Sequence, residues 1–331
     1  MSSPAVTIVL CTYRRAEMLR EAATSLLALE TQLPANAAES AETFDYEVLI
    51  VDNNSPDHTP QVAAELAALS PRVRSIRETN QGVVHARNRG VREARGEWIA
   101  FFDDDQLADP RWLVELLTAA RSRQVRCVGG AVWLDLPAEC DRNLSPMVRM
   151  LLGETVGLDS ARPYSARFTP GCGNLMLHRS VLDEVGLFDP AFNGRGEDTE
   201  LFMRMLDAGI AGWCTPQAIV HHRIDAARLE DAFLLRLART MAVGMAADEH
   251  REWGPWRYPL IWLARVGQTG VRLLPAWAAA RLMQDQEHLI GARCRLLIAR
   301  QMLRDGLPLL FRRAPASGST PSSTITASAE S

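Results

Sequence analysis

Apolar positions follow two rhythms along the first two thirds of the chain. Unbroken, β-branched runs alternate with segments whose apolar residues recur at helical spacing. "VTIVLCTY" (6–13) and "YEVLIVDNNS" (46–55) are of the first kind, and each passes into polar residues at its end. Such runs read as strands buried on both faces of a parallel sheet. "RRAEMLREAATSLLALE", the stretch around 59–69, "GVVHARNRGVREAR" and "PRWLVELLTAARS", with its Pro near the start, carry the helical rhythm. "RVRSIRE", "EWIAFFDDD" and "VRCVGGAVWL" supply further strands. Later come a strand in "GNLMLHR", a short helix in "SVLDEVG", a helix in "DTELFMRMLDAG" with a glycine stop, and a last strand in "AGWCTPQAIVHHR". A Pro/Ala/Ser-rich patch (34–43) reads as a loop, and 137–170 as an irregular excursion.

Strand–helix alternation of this kind predicts an α/β sheet. Ligands gather at the carboxyl ends of strands in such sheets. Three predicted strands end in polar clusters: Thr12-Tyr13, Asp52-Asn53-Asn54-Ser55 and Asp103-Asp104-Asp105. All three should lie along one edge.

The third cluster is the most informative. Three adjacent carboxylates after an apolar run repel one another and are costly to desolvate. One reading is a solvated acidic turn. The other is a cation site, since two carboxylates one residue apart can share a divalent ion, and oxygen donors suit Mg²⁺ or Mn²⁺. Asp52 could accept hydrogen bonds from a base or ribose, or close an Asx turn. Arg87 sits early in a helix after a "QG" entry, able to meet a diphosphate or steady the acids. In "NGRGEDTELFMR" (193–204), Glu197 and Asp198 open a helix, where acids complement the dipole. Either could instead serve as a general base. His221 and His222 end the last strand, and a neutral imidazole there could complete a metal site.

Composition refines this picture. The 331 residues are 47% hydrophobic and 23% charged, room for one large domain and an appendage. All 36 basic residues are Arg, a bias we read as genomic. Net charge is −4, unevenly spread. Residues 1–220 hold 21 Arg against 30 acids, while 221–313 hold 15 Arg against 9, so the two regions present different surfaces. The six Cys (11, 127, 140, 172, 214, 294) form no C-x-x-C pair, which argues against a zinc ribbon or disulfide framework and fits a reducing cytosol. The first apolar run is short and lacks a basic leader, so it reads as a strand and not as a signal peptide. Nothing points to nucleic acid as a partner.

The order of the motifs is more specific than any one of them. "TIVLCTYRR", "VLIVDNNS", "NQGVVHARNRG", "WIAFFDDD", "GCGNLMLHRSVLDEVGLFD", "GRGEDTELFMRMLDAG" and "PQAIVHHR" resemble, in sequence and spacing, the family 2 glycosyltransferases of GT-A fold, over roughly residues 5–225. The resemblance implies a Rossmann-like, mostly parallel central sheet flanked by helices. It implies a nucleotide-diphospho-sugar donor, a divalent metal (Mn²⁺ or Mg²⁺) and inverting displacement. Carried over by motif, Thr12, Tyr13, Arg14, Asp52 and Asn54 would hold the nucleoside and Arg87 the nucleotide side. Asp104 would meet ribose or sugar. Asp103 and Asp105 would form the D-x-D, with Asp105 the direct metal ligand. Asp198 would be the base with Glu197 beside it, His222 would bind metal, and Gly171, Gly173 and Asn174 would line the donor sugar and acceptor. Asn53 departs from the commoner double-Asp form. A nucleotidyltransferase should show a Gly-rich phosphate loop after the first strand, and "CTYRRAEML" has none. A non-catalytic binding protein would not need "DDD", "GED" and "HH" together.

From about 226 the chain turns to long helical segments with Leu, Ala, Trp and Arg. "YPLIWLARVGQTGVRLLPAWAAARLM" (258–283) is apolar, yet Arg265, Arg272 and Arg281 make it a poor spanning helix. It reads as an interfacial helix or as a packed helical subdomain. We therefore expect a catalytic domain over 1–225, a basic amphipathic helical extension over 226–313 that contacts a membrane surface, and a low-complexity disordered tail over 314–331. The acceptor would be a saccharide or a lipid-linked saccharide of a surface glycan. The protein would be cytoplasmic, peripheral on the inner face of the cell membrane.

Overall fold

The computed structural model describes residues 3–34, 42–165, 168–192 and 196–311. The expected tail, most of the 34–43 loop and Arg195 lie outside them. Two compact units divide the chain, Met1–Cys140 with Leu152–Asp225, and Asp141–Leu151 with Ala226–Ser331.

The first unit contains β1 (Val6–Thr12), α1 (Ala16–Leu27), β2 (Tyr46–Asp52), α2 (Thr59–Leu69), β3 (Val73–Arg77), α3 (Val83–Glu93), β4 (Trp98–Asp103), β5 (Gln106–Ala108), α4 (Trp112–Arg123) and β6 (Cys127–Asp135). After α5 (Pro146–Leu151), which belongs to the other unit, it resumes with β7 (Arg162–Pro163), β8 (Asn174–His178), α6 (Arg179–Val185), α7 (Glu197–Asp207) and β9 (Trp213–Arg223). Among the described residues these strands form one sheet in the order β3-β2-β1-β4-β8-β6-β9-β5, with β7 on β9.

Alternate residues of the apolar runs face opposite layers, as the pleat dictates. Ile8, Leu10, Ile50 and Phe102 meet Leu19, Leu26 and Leu113 on one side. Val9, Leu49, Val51 and Phe101 meet Val84, Leu201 and Phe202 on the other. Both faces are covered, which is why these strands show no polar alternation.

The sheet is parallel from β3 to β4 and again between β6 and β9, as expected, with the antiparallel β8 inserted between the two parallel parts. The reversal matters for the site. β8 runs antiparallel to β4 with Asn174 opposite Phe102, so the loop before β8 arrives where β4 ends. β6 is antiparallel to β8, and β9 is parallel to β6, so β9 ends at that edge too. The three-residue β5, absent from the sequence reading, pairs Gln106 with His222.

Glu47 is buried in β2. Burial alone would push its pKa up, but Arg74, the Thr7 hydroxyl and the Arg95 backbone N–H hold it below the ordinary glutamate value. Its contribution to stability is therefore present above the ordinary glutamate range. It is lost as pH falls through the depressed folded value.

The second unit holds α5, α8 (Asp231–Ala242), α9 (Met245–Gln268), a π-helical turn (Thr269–Leu273), α10 (Leu274–Leu282) and α11 (Gln286–Gly306). Residues 141–151, expected in the catalytic domain, belong here. Met147, Val148 and Leu151 of α5 are buried, and α5 packs on α8 and α11. Arg142 ties this segment to Glu287 at 2.6 Å. α9 is broken at Gly254, whose φ of 70° and ψ of 166° interrupt the helix just before Pro255. Among the described residues no helix is long and apolar enough to cross a membrane.

Candidate functional site

The predicted strand ends meet at one edge of the first unit. Thr12 lies in register with Asp52, and Cys11 with Asp103. The three aspartates behave differently because the chain turns through them. Asp103 ends β4 with its side chain 40% exposed, and its Oδ1 accepts from Arg87 at 3.3 Å. Asp104 is buried and accepts from the Thr12 hydroxyl at 2.7 Å and from Arg15 at 2.7 Å. Burial pushes its pKa up, and Arg15 and Thr12 only partly oppose that. Asp105, also buried, accepts from the same Arg15 nitrogen at 3.0 Å and lies 3.4 Å from His222 Nε2. Asp104 and Asp105 are thus not a solvated turn. Two guanidiniums offset the repulsion among the three acids.

Arg87 links the second group. It is buried, and its Nη1 donates to Glu197 at 2.6 Å while Nη2 reaches Asp103. Asp198, the next residue of α7, is partly exposed, and its Oδ1 accepts from the Thr199 N–H at 2.7 Å. A helix turns neighbouring side chains about 100° apart, so Glu197 serves the ion pair while Asp198 does not. Cys172 sits among these groups. Burial pushes its thiol well above the ordinary value, Arg87 opposes that, and Asp198, Glu197 and Asp103 add to it. Burial likewise pushes Cys11 up to about 12. Both stay neutral thiols, unsuited to nucleophilic attack.

At the end of β2, Asp52 accepts from the Ser55 N–H at 3.2 Å, an Asx-type turn. Asn53 explains the departure from a double Asp. Its amide donates to the Asn80 carbonyl at 2.6 Å and its Oδ1 accepts from the Gly82 N–H at 2.7 Å, so one side chain braces the entry to α3. An aspartate could not donate. Asn54, at φ 60°, accepts from Arg77. Tyr13 is exposed, and so is Arg14, whose backbone N–H donates to Ser55 Oγ at 3.0 Å.

Gly173 lies against the side-chain ends of Asp103 and Gln106. A Cβ there would stand 2.5 Å from Asp103 Oδ2 and 2.6 Å from Gln106 Nε2, whereas Gly171 faces nothing within 4 Å. Asn174 corrects the sequence expectation. It is buried, accepts from Trp112 Nε1 at 2.7 Å, and donates to the carbonyls of Ala131 and Ala218 at 2.9 Å each. All its polar atoms are committed to the core, so it staples β8 to β6, β9 and α4 and does not face a ligand. Gly130 leaves room for that amide.

The expected set of Asp103, Asp105 and His222 is divided between partners. Among the described residues no three His, Cys, Asp or Glu side chains stand close enough to hold an ion by themselves. Asp105 and His222 do form a pair. The His222 Nδ1 meets the Leu152 carbonyl at 2.9 Å, an acceptor only, so in the neutral ring Nδ1 carries the proton and Nε2, facing Asp105, carries the lone pair. A carboxylate beside an oriented imidazole fits a divalent cation such as Mn²⁺. His221 packs edge-on against Trp133 at 5.9 Å, so His222 is the member facing Asp105.

Two site residues were not singled out in the sequence. Arg15 follows the assigned Arg14 and precedes the first residue of α1. The signal was the doubled arginine at a strand-to-helix joint, which does not say which member turns inward. Gln106 follows the Asp run, is buried, and has an Oε1 without a hydrogen-bond partner.

Residues 7–186 match the sequence profile described as glycosyl transferase family 2. A putative glycosyltransferase, EpsH of Bacillus subtilis, is 33% identical over 120 residues, 36% of this chain and 31% of that protein. Glycosyltransferase AglE of Haloferax volcanii is 26% identical over 209 residues, 62% of each chain. The chain thus spans less than two thirds of either relative. The succinoglycan biosynthesis protein ExoM of Rhizobium meliloti is 28% identical over 240 residues, 70% of this chain and 71% of that one. Among solved structures, a mannosyltransferase of Pyrobaculum calidifontis in complex with GDP-Man and Mn²⁺ superposes with a TM-score of 0.57 at 18% identity, covering 94% of this chain and 88% of that one. At that identity the likeness establishes the fold, of GT-A type.

Proposed function

The chain belongs to glycosyl transferase family 2, and from that premise we propose that the edge of its sheet moves a sugar from a nucleotide-diphospho-sugar to a hydroxyl acceptor with inversion. The observation that carries this reading is the division of labour among the acids. Glu197 is locked to Arg87, and Asp103 shares that arginine, while Asp198 stands beside them partly exposed and unclaimed by any cation among the described residues.

In this reading Asp198 takes the proton from the acceptor hydroxyl as its oxygen attacks the anomeric carbon. Arg87 holds the Glu197 carboxylate beside it by the 2.6 Å contact and fixes the start of α7. The exposed Tyr13 and Arg14, with Asp52 and Asn54, border the nucleoside. Thr12 orients Asp104 at the centre. Gly173, lacking a Cβ, lets the side-chain ends of Asp103 and Gln106 approach the backbone before β8. The orphaned Gln106 oxygen is a natural acceptor for a sugar hydroxyl. Asp105 and His222 would hold a divalent cation together with oxygens of the donor diphosphate, while Asp103 stays with Arg87. Such a cation supplies positive charge to the departing diphosphate. A relative named for succinoglycan biosynthesis supports a saccharide as acceptor, free or lipid-linked in this reading.

The test is thermal stabilisation by a panel of UDP-, GDP- and dTDP-sugars, each with Mn²⁺ and with chelator. A ligand that binds only the native state raises the melting temperature by mass action. One nucleotide class should stabilise in the presence of Mn²⁺. A folded protein that responds to no donor under either condition overturns the reading.

A further inference from the structure

We propose that the second unit docks on an anionic lipid bilayer through the outward face of the helix running from Pro255 through α10. This inference does not depend on the sugar-transfer reading. From Pro255 to Leu282 the helix continues through the π turn, a length of about 40 Å. One face is occupied. Tyr258 is buried, Trp262 Nε1 donates to the Leu303 carbonyl at 3.0 Å, and Arg265 is paired with Glu249. The opposite face is apolar and bare. Trp256 is 91% exposed, Leu260 69%, Leu263 61% and Val271 77%, with Leu282 at 84% and Met283 at 76% just beyond the helix turn. Trp256, Leu260 and Leu263 follow the i, i+4, i+7 spacing of a single stripe. Large side chains exposed in series mark an interaction surface, whereas single ones need no explanation.

The charges say what covers it. From Trp253 to Gln284 there is no Asp or Glu, and the stretch carries Arg257, Arg265, Arg272 and Arg281. Arg257, Arg272 and Arg281 are exposed around the apolar stripe, with Arg281 lying over the Trp277 ring at 5.6 Å. An apolar stripe edged only by arginine, with tryptophan at its end, matches an interfacial helix among anionic headgroups. A symmetric contact with a second copy would bring these arginines against each other, with no acid on the same stretch to answer them. The helix is too broken by charge to span, so it lies in the plane of the surface.

The test is sedimentation of the 331-residue chain with vesicles of phosphatidylglycerol and phosphatidylcholine, against phosphatidylcholine alone. Light scattering without vesicles gives the oligomeric state. Binding should be about tenfold or more stronger to the anionic vesicles. The Leu260→Asp/Leu263→Asp variant should lose about tenfold or more of it, with an unchanged melting temperature because both side chains are exposed. The Arg257→Gln/Arg272→Gln/Arg281→Gln variant should lose the preference for anionic lipid. The proposal is overturned by a wild type that stays in the supernatant with anionic vesicles. A leucine variant that sediments like the wild type also overturns it, as does a wild-type dimer that the leucine substitutions turn into a monomer.

Discussion

Asp198→Asn is expected to bind nucleotide-sugar as the wild type does and to transfer it about 10²- to 10⁴-fold more slowly, the range a general base commands. The asymmetry between two neighbouring acids is the reason. Glu197 lies 2.6 Å from a buried guanidinium and is itself buried, so its carboxylate is committed to the ion pair. Asp198 is partly exposed, and its Oδ1 accepts from the neighbouring Thr199, from the N–H at 2.7 Å and from the hydroxyl at 3.4 Å. The substitution keeps shape and those contacts, so binding should survive while the rate constant falls. This split in single-turnover kinetics separates the loss of a base from the loss of a fold. Transfer at the wild-type rate would move the role elsewhere in the cleft.

Arg87→Met should have the largest effect on stability, about 3–5 kcal/mol, read as a lowered urea midpoint. The methionine fills similar volume but leaves the Glu197 carboxylate buried without its cation. Side-chain exposures of 8% for Arg87 and 11% for Glu197 mean that water cannot take over the pairing. Asp103, at 40%, can turn to solvent and adds little to the cost. Arg87→Lys should recover only part of the loss, because one ammonium does not match a fork that reaches two carboxylates. Pairing Arg87→Met with Glu197→Leu should restore much of the midpoint, since removing both charges removes the uncompensated one. An unchanged midpoint in Arg87→Met would mean that the buried acid finds another partner.

Much of the site's frame was legible in the sequence because strand ends declare themselves. An apolar, β-branched run that stops at Asp52 or Asp103 locates an edge without any coordinates, and the parallel register then aligns the edges. What the sequence could not show was where side chains turn. "GCGN" suggested a ligand-facing asparagine, yet Asn174 points into the core. The buried Trp112 indole and two strand carbonyls must be satisfied there, a demand set by residues as many as 62 positions away. Arg14 and Arg15 are chemically identical in the sequence. A φ of 56° at Arg14 sends the chain around a corner, and Arg15 then reaches the aspartates. The membership of 141–151 in the helical unit was hidden for a similar reason. Six residues of helix carry too short a period to reveal their partner, which comes more than 80 positions later.

The metal-dependent donor site is the claim on which the account rests. Calorimetric titration of the nucleoside diphosphate preferred in the thermal panel, into wild type and Asp105→Asn, tests it most directly. The account predicts that wild type binds with Mn²⁺ and loses most of that affinity with chelator, while Asp105→Asn binds weakly and equally under both conditions. Wild-type binding that ignores the chelator, or an Asp105→Asn protein that keeps the full metal response, would contradict it.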